Sequence, residues 1–484
     1  MRCNRARDER SRDLIAELQA LRDRLAWLEA ATTARPTDER GGTRPLAPGT
    51  PGTPGTRVAP ILTTGWGDGC GEANGEMPGI ERRIADVWRE LQRHNPAYRG
   101  QAAALDLAVT DEDDGEQSDE DTGAARWVER TQATLRRVGT DALVEYTALG
   151  DDLVVFVVRA GVAHARRLDG AAAALRRLVP LLRLNVERSA ATAAHAERHV
   201  RQSLKANAEG LLRRLHEVLL APVASWLDAV TRITVVPHGV AHHVPFHALH
   251  DGRAYVVEQA EVTYAPCGSL ITHFARRHMA VTEARPGQAN PALVLSCSAG
   301  GALPHVVAEG ERVAAILGGH LLRDGAASLA SLRALCGDCT VLHLAAHARF
   351  RPDEPLFSAL QLDDGQLSTL EVFNLDLRCS LVTLSACETA LGTVGAGDEV
   401  MGLSRAFLYA GAPSLLLSLW KVADSSTAAL MERFYRLLMA GADKSTALRQ
   451  AQLALLYGES GTHADWSAPF FWAPFQLVGH PGPL

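Results

Sequence analysis

From Ile233 onward the chain repeats one pattern that leaves few folds open to it. Short apolar runs rich in β-formers occur at Ile233–Pro237, Ala292–Ser296, Thr340–Ala345, Leu381–Ser385 and Ser414–Leu419. Amphipathic stretches separate most of them, at Val306–Leu317, Ser328–Leu335, Glu399–Ala410 and Ser425–Met439. Near-continuous apolar strands must be buried on both faces, and the intervening helices are what cover those faces. Residues 231–484 are therefore predicted to form an α/β sandwich around a mainly parallel sheet. In open parallel sheets reactive groups gather at the carboxyl ends of strands, so chemistry is sought there.

Upstream the texture differs. Leu14, Leu18, Leu21, Leu25 and Leu28 form an a/d seam on a helix (residues 1–31) dense in Arg, Asp and Glu. The seam fits an amphipathic helix packed on its own domain or self-association through residues 11–30, and its length does not decide between them. Residues 32–79 turn to Thr, Pro and Gly, with too little apolar surface to offset the entropy of ordering; they read as a disordered linker. The stretch 80–139 reads as a helical lead-in, with Ile80, Ile84, Val87 and Leu91 on one face. Its acidic run Asp111–Asp121 is expected to be a solvated, disordered insertion. Within 140–230, Ala142–Tyr146 and Asp152–Val158 flank a turn at Leu149–Asp151 as a β-hairpin, and long helices follow from Ala171.

Composition narrows the function classes. With 47% hydrophobic and 22% charged residues, most of the chain can bury ordinary cores. A formal charge of −7 argues against bulk electrostatic binding of nucleic acid, and 5% aromatics against a stacking platform for bases. Eight cysteines without regular spacing do not make a disulfide framework; they suit a reducing, cytoplasmic compartment. The charged start has no signal-peptide core and no apolar run reaches the length of a bilayer, so no membrane is expected.

Two strand ends carry the residue types that a covalent mechanism needs. The run Thr340–Ala345 leads into His347, and Leu381–Ser385 leads into Cys387, a spacing ample for a crossover that sets the two strands side by side. A thiol beside an imidazole can ionise, attack a carbonyl and return its proton through the histidine to a leaving amine. A small buried thiol and a satisfied histidine fit the same positions, and spacing alone leaves both readings open.

Ordered blocks extend the comparison. Val341–Phe350, Pro355–Gly365, Leu381–Gly392, Met401–Ala412, Ser418–Asp424 and Phe471–Gly479 resemble the CHAT domain, a group of caspase-like cysteine peptidases related to separase, gingipain-type enzymes and caspases. Val235–Leu249 and Tyr264–Leu270 fit the same pattern, with weaker similarity upstream through Leu143. The resemblance implies a caspase-like three-layer α/β/α sandwich with a mainly parallel sheet at 231–484, the N-terminal part of the CHAT region at 140–230, and a helical, partly disordered region before them. It implies a cysteine endopeptidase with His347 as general base and Cys387 as nucleophile, and backbone N–H groups at Cys387 and Ala348 for the oxyanion.

The segment Trp420–Asp424 resembles the part of separase whose aspartate pairs with a P1 arginine. Carried over, Asp424 selects Arg or Lys in a pocket shared with Trp420, and Asp398 and Glu399 are the next candidates. Asp424 equally fits a cap for the helix starting at Ser425. One position departs from the pattern, which has glycine after the histidine where this chain has Ala348. A positive φ there would cost about a kcal/mol. That departure supports an alternative, a catalytically weak or inactive caspase-like scaffold or signalling module.

The remaining motifs carry less. His238, His242, His243, His247 and His250 cluster in sequence, but zinc needs three or four fixed ligands, and three of these histidines lie in a segment that resembles the CHAT strand and turn without a metal. Cys336 and Cys339 precede a strand with no second ligand pair and read as a structural loop. The Gly392–Gly402 stretch lacks the Lys-Ser/Thr of a phosphate loop and reads as a mobile segment beside the site. No metal or other cofactor is expected. The partners expected are a protein substrate and a regulatory protein, or a second copy bound through residues 11–30.

Overall fold

The computed structural model describes helical positions at 14, 17, 20, 21, 79, 80, 82, 83, 86 and 87, then residues 120–192, 197–283, 292–298, 301, 304–349, 357–386, 399–420, 424–459 and 464–484. Met1–Ala103 and Ala104–Leu484 are separate compact units. In the first, Leu14 and Val87 are fully buried, Ile80 nearly so, and Arg83 Nε donates to Glu17 Oε1 at 2.7 Å. The first leucine of the seam is thus buried. Leu18, Leu25, Leu28 and the linker up to residue 78 lie outside the described residues, as does the acidic run before residue 120.

The first described element of the second unit is α1 (Glu120–Val138), which takes in the end of that acidic run. The helix dipole favours carboxylates in a first turn. Three strands follow, β1 (Ala142–Leu149), β2 (Asp152–Arg159) and β3 (Val162–Leu168), then the helices α2 (Ala171–Thr192) and α3 (Arg198–Leu219). The expected hairpin is therefore a three-stranded meander. Its first turn has Gly150 at φ +65°, and its second has Ala160 at φ +51° and Gly161 at φ +80°.

Next come β4 (Arg232–Val236), α4 (Val256–Gln259), β5 (Glu261–Tyr264), α5 (Leu270–Glu283), β6 (Leu293–Ser296), α6 (Pro304–Leu317), β7 (His320–Arg323), α7 (Leu329–Leu335) and β8 (Val341–Arg349). The hairpin β9 (Ala359–Leu362) and β10 (Gly365–Ser368) leads to α8 (Thr369–Phe373), β11 (Leu381–Ala386), α9 (Glu399–Tyr409) and β12 (Ser414–Ser418). The last elements are α10 (Asp424–Met439), α11 (Lys444–Tyr457), α12 (Pro469–Trp472) and β13 (Phe475–Gly479).

Among the described residues, thirteen strands form one sheet with helices flanking it, in the order β10-β9-β8-β11-β12-β13-β5-β4-β1-β2-β3; β6 also pairs with β8, and β7 with β6. Strands β7, β6, β8, β11 and β12 run parallel to one another, and so do β13, β5, β4 and β1. The two groups meet antiparallel at β12 and β13, so the sheet is two parallel halves of opposite sense. Every residue of β6, β12 and β13 is buried, as expected of strands covered on both faces. On α10 the buried residues Leu430, Met431, Phe434, Tyr435 and Leu438 make the stripe that faces this core.

Candidate functional site

The parallel ladder of β8 and β11 runs from Val341 opposite Leu381 to Ala346 opposite Ala386. The next residues in sequence are His347 and Cys387. His347 is half-buried near the end of β8, where its Cα partner is Gln361 of β9. Cys387 lies outside the described residues. Ala348 is fully buried, still within β8 and opposite Leu360; it is not among the residues with positive φ. The strain anticipated for alanine at this position does not arise, because extended backbone suits any residue.

Trp420 follows β12 by two residues. Its indole Nε1 donates to the Phe470 carbonyl at 3.1 Å, and its own carbonyl accepts from Ser418 Oγ at 2.6 Å. The ring lines an apolar cleft with Leu182, Val186, Leu212 and Pro245, which ties the end of β12 to the helical pair α2 and α3. That pair is itself joined by Asn185 Nδ2 donating to the Leu204 carbonyl at 3.0 Å. Asp424 is the first residue of α10, inside the helix rather than one position before it. Glu399 is the first residue of α9. The side chains of Asp424 and Glu399, and the whole of Asp398, lie outside the described residues.

Below the strand ends lies a buried polar layer that no motif announces. His343 of β8 is fully buried and places Nδ1 3.0 Å from the Tyr435 hydroxyl on α10. Tyr435 donates to Thr383 Oγ1 of β11 at 2.7 Å, and burial pushes its hydroxyl pKa up. On the other side of the ring, His343 Nε2 is 3.3 Å from Glu309 Oε1 of α6. Gly310 lets α6 come this close: a Cβ there would lie 1.8 Å from Ser296 Oγ on β6. The signal in the sequence is an acidic residue in the apolar stripe Val306, Glu309, Gly310, Val313 and a histidine within an apolar strand.

Of the clustered histidines, His247 serves packing, whereas His238 is exposed. His247 is buried, with Nε2 on the Ala473 carbonyl and Nδ1 on the Tyr264 hydroxyl, each at 3.0 Å. Burial lowers the pKa of His242, His243 and His247 to about 4. Cys336, Cys339 and Cys379 are buried. Burial pushes the Cys336 thiol up to about 11, and a hydrogen bond with Cys339 together with burial pushes Cys379 up as well. Such thiols are poor nucleophiles. Among the described residues no cluster of three or more His, Cys, Asp or Glu could hold a metal ion, and no helix is long and apolar enough to cross a membrane.

Comparison with known proteins places this geometry. The yeast Saccharomyces cerevisiae separase, solved in complex with securin, superposes with a TM-score of 0.53 over 75% of this chain and 31% of that one, at 10% identity. The two share a fold. Human tetratricopeptide repeat protein 28 is 34% identical over 118 residues, and its mouse counterpart 34% over 113 residues. Those stretches cover 24% and 23% of this chain but only 4% of either relative. Residues 209–480, more than half of the chain, match the CHAT domain. With the ordered sheet and the paired strand ends, that match settles the family: the chain belongs to the CHAT domain proteins.

Proposed function

We propose that this protein is a cysteine endopeptidase that uses His347 and Cys387 and cleaves after Arg or Lys. The observation that carries this reading is the in-register parallel pairing of β8 and β11 up to Ala346 and Ala386, directly before the two residues. His347 takes the thiol proton, and the sulfur attacks the scissile carbonyl carbon. Backbone N–H groups at Cys387 and Ala348 hold the oxyanion of the tetrahedral intermediate. Its collapse breaks the C–N bond, and the leaving amine takes the proton from His347. Water then gives a proton to His347 and adds to the thioester, which releases the acid and restores the thiol.

Asp424, one strand further along, supplies the negative charge that a basic P1 side chain seeks, with Trp420 walling that side; Asp398 and Glu399 are further acidic candidates. A regulatory protein, or self-association through residues 11–30, controls access in an intracellular setting. The test is a peptidyl electrophile ending in Arg, applied to wild type, His347→Ala and Cys387→Ala, together with identification of new protein N-termini in cells. We expect Cys387 to be labelled only when His347 is present, and new termini to follow Arg or Lys. The same termini in Cys387→Ala cells would overturn the proposal and leave the inactive scaffold as the better account.

A further inference from the structure

The buried layer under the strand ends has a directionality that core packing does not require. His343 and Thr383 are Cα partners in the ladder of β8 and β11, and both are fully buried. The Tyr435 hydroxyl touches both side chains, at 3.0 Å and 2.7 Å. A phenol has one hydrogen; with that hydrogen on Thr383, it can only accept from His343, which puts the ring proton on Nδ1. His343 Nε2 then faces Glu309 Oε1 at 3.3 Å. Neither atom has a hydrogen-bond partner among the described residues. His343, Tyr435 and Thr383 thus form one hydrogen-bonded chain from β8 through α10 to β11, with Glu309 of α6 beside the ring.

The three elements that meet at the Tyr435 hydroxyl are those that carry the candidate groups. Strand β8 carries His347, β11 ends one residue before Cys387 in sequence, and α10 begins at Asp424. His343 and His347 lie on the same face of β8, because side chains alternate along a strand. Resting on the peptidase reading above, we infer that Tyr435 is a positioning residue: its hydroxyl holds β8, β11 and α10 in one alignment, which sets the spacing of His347 and Cys387 and the seat of Asp424 together. Apolar contacts let packed elements slide by fractions of an ångström, whereas hydrogen bonds have narrow optima in distance and angle.

Tyr435→Phe in the full chain tests this. Hydrolysis of peptides with Arg or Gln at P1 is measured, with active enzyme counted by titrating Cys387 with an irreversible electrophile. We expect kcat per titrated site to fall about tenfold, the scale of one buried hydrogen bond, and the preference for Arg over Gln to narrow. Fewer titratable sites with unchanged kcat and unchanged preference would mean a merely structural role and overturn the inference. Thr383→Val, which keeps the tyrosine and removes its acceptor, is the second variant and should move the same two quantities.

One arm needs no catalysis. In a His347→Cys background, a short bifunctional thiol reagent links the introduced thiol to Cys387, and Tyr435→Phe should slow that link about fivefold. If wild type hydrolyses no peptide, the peptidase reading fails, and the linking rate alone decides the alignment: a slowed rate upholds it and an unchanged rate overturns it.

Discussion

Ala346 and Ala386 are the last Cα partners of the parallel ladder between β8 and β11. Each is followed immediately by a residue with the chemistry of a cysteine peptidase, His347 and Cys387. The ladder brings Ala346 and Ala386 to the same level of the sheet.

Specificity should rest on charge. Asp424→Asn keeps size and removes the carboxylate; we expect kcat/KM for an Arg P1 peptide to drop about a hundredfold, the worth of a charged pair, while a neutral P1 peptide changes little. Steady-state kinetics on the two peptides checks it. Equal losses on both would assign Asp424 to the helix rather than to the substrate.

The close approach of α6 to β6 should show as coupling between two residues. Gly310→Ala drives a methyl into Ser296 Oγ, 1.8 Å from where its Cβ would be, and should destabilise by about 1–3 kcal/mol. Ser296 Oγ is buried without a hydrogen-bond partner among the described residues, so Ser296→Ala alone should be close to neutral. The double variant should recover part of the loss. Urea unfolding of all four proteins gives the interaction energy, and strict additivity would exclude the contact.

Legibility followed burial. The strands β4, β6, β8, β11 and β12 stand out in the sequence because both their faces are covered, and their apolar runs are nearly continuous. Strand β3 does not, since most of Val162–Leu168 is exposed at the sheet edge and His164, Arg166 and Arg167 interrupt its apolar residues. Strand β7 is four half-exposed or exposed residues. At the candidate site, His347 could be found from its place at a strand end. The layer of Glu309, His343, Thr383 and Tyr435 could not, because no local period reports contacts between residues so far apart in sequence.

The second turn of the meander carries removable strain. Ala160 sits at φ +51°, where its Cβ is unwelcome, and its neighbour Gly161 is already glycine. Ala160→Gly should stabilise the protein by about 0.5–1 kcal/mol, despite the added entropy of the unfolded chain. A lower urea midpoint for the variant would contradict the left-handed assignment.

Stability should fall in mild acid. His247 stays neutral between its two buried partners, and burial lowers its pKa from 6.5 to about 4. Above the unfolded value the stabilisation is fully present. As pH drops from about 6.5 through 4 the unfolded chain takes up the proton first, and about 3 kcal/mol is lost. His242 and His243 act in the same direction. Urea midpoints from pH 7 to pH 4 should fall steeply for wild type and less for His247→Gln; parallel curves would rule His247 out as a source.

Strand β13 is the last described strand in sequence, yet it lies in the middle of the sheet, antiparallel to β12 and parallel to β5. During synthesis the two half-sheets therefore emerge with a gap between them, each with a bare inner edge. The gap can close only after Phe475–Gly479 has left the ribosome. Until then β12, which leads to Trp420 and Asp424, has no neighbour on that side. A nascent chain that already contains His347 and Cys387 therefore still lacks the strand that joins the two half-sheets.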